Sequence, residues 1–166
     1  MKLLGICLLF GVTLAASVCV VAREKKRRCQ TEALCRLFEH VYEKSVFEKM
    51  PLFDIYRCFS NACLEKTGML KELRTKHGDE PYSNLFCKCF DNAKGNFALS
   101  AEQWNLFYEF GGLLGTVAYD GGERLLQYIG RVKKEDEHVR AEYKNRVKMG
   151  VALCLSIGLG IVILIV

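Results

Sequence analysis

Proline is almost absent: only Pro51 and Pro81 occur in 166 residues, so little in the chain forces a helix to stop. Sustained polar and apolar alternation is missing too, which leaves little signal for strands. Tryptophan occurs once, and the three histidines His40, His77 and His138 stand apart in the sequence from the cysteines. The cysteine intervals C-x5-C, C-x4-C and C-x-C lack the repeated C-x2-C of a zinc site, so no metal site is expected. No Ser, His and acid fall in a local catalytic signature and no cofactor motif is present, which points away from an enzyme. Asp91 to Glu102 has the length of a calcium loop, but Ala93 and Asn96 stand where a ligand oxygen and a glycine are needed.

What is present is the composition of a folded domain, with 26% charged and 11% aromatic residues, at a length that leaves room for one such unit. Two uncharged runs bound it. Residues 3–22 follow a lone Lys2 and become rich in small residues at Ala15, Ala16 and Ser17, the layout of a secretory signal peptide or an uncleaved signal anchor. Residues 149–166 are uncharged throughout, and as a helix would span about 27 Å, close to the hydrocarbon core of a bilayer. They read as a transmembrane anchor. A lipid-anchor signal fits less well, because neither Ala141-Glu142-Tyr143 nor Asn145-Arg146-Val147 is small throughout.

Charge divides the rest. Residues 23–28, REKKRR, carry +4, residues 29–122 carry −3 and residues 123–148 carry +3. The expected organisation is therefore a leader at 1–22, a basic tether at 23–28, a cysteine-rich helical domain at 29–122, a charged helical stalk at 123–148 and the anchor at 149–166. The mildly acidic middle argues against nucleic acid as a partner.

Positive-inside counting would place the basic flanks in the cytosol. Cysteine usage argues the reverse. With Cys7, Cys19 and Cys154 set aside in the apolar runs, Cys29, Cys35, Cys58, Cys63, Cys87 and Cys89 remain, an even number in three close pairs, as in a disulfide-stapled extracellular domain. The cysteines are given the greater weight, so the protein is expected in the secretory pathway, on the plasma membrane or an endomembrane, with its domain extracellular or lumenal. Six cysteines allow fifteen pairings, and the sequence does not choose among them.

Helical periodicity is plain in the middle. Leu34, Leu37, Phe38, Val41, Tyr42 and Val46 form one apolar stripe within Thr31 to Lys49. Pro51 can open a second helix with Ile55, Tyr56, Phe59, Cys63 and Leu64 inward. Tyr82 to Phe90 reads as a short helix that buries Leu85, Phe86, Cys89 and Phe90. Ser100 followed by Gln103 is a capping box, so a longer helix starts at Ala101 and ends before Asp120-Gly121-Gly122. Ala152, Ser156 and Gly160 recur every four residues and would let two copies associate through the anchor.

Over residues 29–89 the six cysteines in helices loosely resemble the saposin-like family. That resemblance implies nested bridges, Cys29 to Cys89, Cys35 to Cys87 and Cys58 to Cys63, around amphipathic lipid-binding helices. The expected fold is all-α: a small disulfide-stapled helical bundle ectodomain with a helical stalk and one C-terminal transmembrane helix. The expected role is a non-enzymatic interaction protein at a membrane surface, its partners being the membrane and another protein. The alternative is a lipid-binding or membrane-remodelling protein, saposin-like or a two-anchor hairpin.

Overall fold

Helix α1 runs unbroken from Lys2 to Val46, about 67 Å, and carries the apolar run, the basic run and the first core stripe on one axis. Neither a change from apolar to basic side chains nor Gly5 and Gly11 stops a helix that meets no proline. The divisions expected at 22 and 28 are thus not marked by any break in the backbone. The computed structural model describes residues 2–75, 81–115 and 122–165, without the side chains of 2–10, 13–14, 153–155 and 157–165. Residues 76–80 of the expected turn and 120–121 of the expected Asp120-Gly121-Gly122 break lie outside the described residues.

Lys49, in the left-handed region at φ 52°, ends the first helical segment, and the Met50 amide reaches back to the Lys44 carbonyl at 3.0 Å. Pro51 then opens α2, Leu52–Cys58. The expected second helix is split here, because Arg74 donates from Nε to the Tyr56 carbonyl at 3.1 Å and from Nη2 to the Phe59 carbonyl, satisfying the end of α2. Asn61 starts the next turn, its side chain accepting from the amides of Cys63 and Leu64, so α3 covers Ala62–Glu65. Gly68, at φ 83°, supplies the turn into α4, Met69–Thr75.

Helix α5, Tyr82–Asn92, buries Leu85, Phe86, Cys89 and Phe90, the four residues expected inward. Both bonds of the Ser100 and Gln103 capping box form at the start of α6, Ala101–Leu114. Helices α5 and α6 approach closely at Gly111, where a Cβ would lie 2.5 Å from Cys87 Sγ and 3.1 Å from the Ser83 carbonyl oxygen. Helix α7, Glu123–Ile165, about 65 Å long, returns along α1.

The core gathers at one level of this helix pair. Phe38 on α1 is fully buried and meets Phe110 in a stacked contact at 4.0 Å, with Tyr128, Phe107 and Phe86 at 5.7, 5.9 and 6.1 Å. Each of α2 to α6 adds buried apolar residues to the same cluster. The result is all-helical, with no strand among the described residues.

The expected transmembrane helix is not supported: among the described residues no helix is long and apolar enough to cross a membrane. The two apolar runs are continuations of long helices whose other halves are charged and packed in the bundle. Ala152 and Ser156 of the expected association face are exposed on α7, and the Gly160 position lies outside the described side chains.

Candidate functional site

Polar groups sit where α1 and α7 meet, and several are buried: Glu24 is 8% exposed, Thr31 0% and Asp136 7%, with Gln103 at 1% beside them. A buried polar group is costly unless bonded. Here a set of ion pairs joins the two long helices. Arg146 reaches Glu24 at 3.1 Å, Arg27 reaches Glu142 at 3.0 Å, Arg140 reaches Glu32 at 3.5 Å and Lys133 reaches Glu39 at 2.7 Å. As the α1 number rises the α7 number falls in step, the mark of antiparallel helices held in one register. Arg28 over the Tyr143 ring, at 5.3 Å, keeps the same register.

Gln103 ties α6 to this seam. Its Oε1 accepts from Arg27 Nε at 2.8 Å and from the Ser100 amide at 3.1 Å, while its Nε2 donates to Glu135 at 2.8 Å and Thr31 Oγ1 at 3.5 Å. An amide side chain has two donor and two acceptor positions, and all four are engaged. The capping residue of α6 is therefore also the joint between bundle, α1 and α7. Gln30 adds a second tie, donating to the Asn96 carbonyl at 2.9 Å and accepting from the Ala98 amide at 2.7 Å.

Farther along, Asp136 lies at the floor of a cleft of about 250 Å³ lined by Glu32, Glu39, Lys133 and Arg140. Arg140 Nε bonds one of its oxygens at 2.8 Å, and the other has no partner. Burial raises the Asp136 carboxyl above the usual carboxylate range despite Arg140. The His40 imidazole is lowered by burial and by Lys44, and its ring packs 5.4 Å from Phe59. Among the described residues no group of three or more His, Cys, Asp or Glu could hold a metal.

The cysteines do not staple the bundle. None of Cys29, Cys35, Cys58, Cys63, Cys87 and Cys89 is in a disulfide. None of the pairs implied by the saposin-like resemblance is joined; instead the Cys63 thiol lies against Cys29, and burial together with that neighbour pushes it up to about 12. Burial and the nearby Glu39 and Asp136 push Cys35 up to about 11. Cys87 faces the Tyr108 carbonyl at 3.9 Å, and Cys89 is fully buried among the core rings. The physical reason is that the aromatic core already supplies the burial for which staples were expected, and buried Cys35 and Cys89 serve in it as small apolar residues.

Sequence reasoning missed the seam. Gln103 was legible as a helix cap, but nothing local in the sequence links Arg27 to a residue 115 positions away.

No curated protein and no solved structure matches the chain. The family model described as stage III sporulation protein AB does, over residues 2–166. The match runs through the segments separated above as leader, tether, cysteine-rich domain, stalk and anchor. Together with the unbridged cysteines and the lack of a spanning helix among the described residues, it overturns the reading of a secretory, disulfide-stapled cell-surface ectodomain and its saposin-like alternative. Matched along almost its whole length, the chain belongs to the stage III sporulation protein AB family.

Proposed function

We propose that the chain serves spore formation as a non-enzymatic assembly subunit, a helical bundle that fixes the direction of a two-helix rod. The observation that carries this reading is the seam. Four ion pairs and one fully bonded amide hold α1 against α7 between bundle and rod, so that movement of one is passed to the other. Apart from one oxygen of Asp136, the polar groups there are engaged with one another, as in a structural joint. Family membership supplies the process.

The test is made in a spore-forming bacterium with this chain as its sole copy of the family. Deletion is expected to abolish heat-resistant spores. The pair Arg27→Ala and Arg146→Ala, which opens the seam, is expected to lower the spore count steeply while the protein still accumulates. A heat-resistant count at the wild-type level after deletion would overturn the proposal.

A further inference from the structure

Three clefts on one flank of the molecule share walls. The first, of about 410 Å³, lies between Lys94, Phe97 and Trp104. Leu99 and Ser100 join it to a second of about 300 Å³, and Val20 and Arg146 join that to a third of about 560 Å³ between α1 and α7. They form one groove that leads from an aromatic end, past the seam, to an apolar end at Val21 and Met149.

Its chemistry changes along its length. At the aromatic end Trp104 is stacked on Phe90 at 3.9 Å, with the Lys94 ammonium 5.2 Å from its ring. The Trp104 ring is thereby fixed as a platform. In the middle, Arg27 and Arg146 are paired with Glu24 and Glu142, and exposed Arg23 lines the groove beside them, a local excess of one positive charge. At the far end Val20 and Met149 are 51% and 60% exposed, an apolar surface without a cover. From Ala16 to Arg27 the α1 wall is about 17 Å long, room for about three turns of a helix laid alongside.

We propose that this groove is the docking site for an acidic amphipathic helix of a partner protein, apolar at its two ends with carboxylates toward Arg23 in the middle. Charge complementarity selects this occupant. A second copy docked through the same face would bring its own basic run, Arg23 to Arg28, against Arg23. The inference rests on the assembly reading above and names the surface that reading requires.

Trp104 is the sole tryptophan, so its fluorescence reports on the groove directly. The probes are two synthetic amphipathic peptides of about four helical turns with the same apolar face, one with glutamates and one with lysines on the polar face. Titrated into the full chain, the glutamate peptide is expected to change the emission saturably. Its binding should weaken about tenfold with Arg23→Glu and with added salt. Equal binding of both peptides, no binding of the glutamate peptide up to about 1 mM, or indifference to Arg23→Glu would overturn the proposal. So would a rise in oligomeric state that blocks the peptide, which would assign the groove to a second copy. Spore counts separate the two levels: if deletion abolishes spores while Arg23→Glu leaves them at wild type, the groove fails and the assembly reading stands.

Discussion

Gln103→Leu removes the joint between bundle and seam while keeping the side-chain volume and helix propensity nearly unchanged. Two of its four bonds are to charged groups, Arg27 and Glu135, worth about 1.5–3 kcal/mol each, and two to neutral groups, worth about 0.5–1.5 kcal/mol each. The full sum is not lost. Arg27 keeps Glu142 and Glu24, and half-buried Glu135 can turn to water. About half of the total, near 3 kcal/mol, is the expected destabilisation. For a chain of this size that lowers Tm by about 6–12 °C. The assay is thermal and urea unfolding followed by far-ultraviolet circular dichroism. Arg36→Ala, which breaks an exposed pair with Glu32 within one helix, is the control and is expected to cost less than about 0.5 kcal/mol. If Gln103→Leu behaves like that control, the amide is not a joint and the reasoning about the seam fails.

Gly111→Ala is expected to destabilise by about 1–3 kcal/mol through the clash with Cys87, and Cys87→Ala in the same chain to recover part of it; additive effects in a double-mutant cycle would count against the close approach of α5 and α6. Asp136 has a raised carboxyl, so its folded form keeps a proton that the unfolded chain has already lost. Stability from this group is intact below the unfolded value, near pH 4, and declines as pH rises through the folded value. Asp136→Asn should therefore gain on the native chain over that rise, and a difference in urea midpoint that does not change with pH would refute it. Iodoacetamide applied to the folded, unreduced chain is expected to label exposed Cys29 and Cys58 first and to spare Cys35 and Cys89 until unfolding, as read by mass mapping. Failure of Cys29 and Cys58 to react would speak for bonds the structure does not contain.

Local signals in the sequence were read well. The inward set of α5 follows from 3.6-residue spacing, and the capping box from two residues three apart. Longer-range facts were not legible. The continuity of α1 is hidden because a change of side-chain character resembles a change of structure, although the backbone meets no proline before Pro51. An even number of closely spaced cysteines suggested staples, whereas burial alone accounts for Cys35 and Cys89. The seam needs residues from opposite ends of the chain, and no window along the sequence contains both sides of it.

That separation bears on how the chain is made. Synthesis delivers α1 first, and its charged flank meets no opposing charge from α7 until the residues from Lys133 to Arg146 have followed. The core around Phe38 likewise waits for Tyr128. Loop closure over such distances is slow compared with the growth of a single helix, so the rod is expected to be the last part to form. A nascent chain halted before Arg146 would leave Glu24 without its partner from α7, and a stop before Glu142 would deprive Arg27 of its own. Completion of the last helix thus decides whether the first is ever properly seated, which makes the interval between them the period in which this protein most needs protection from aggregation and proteolysis.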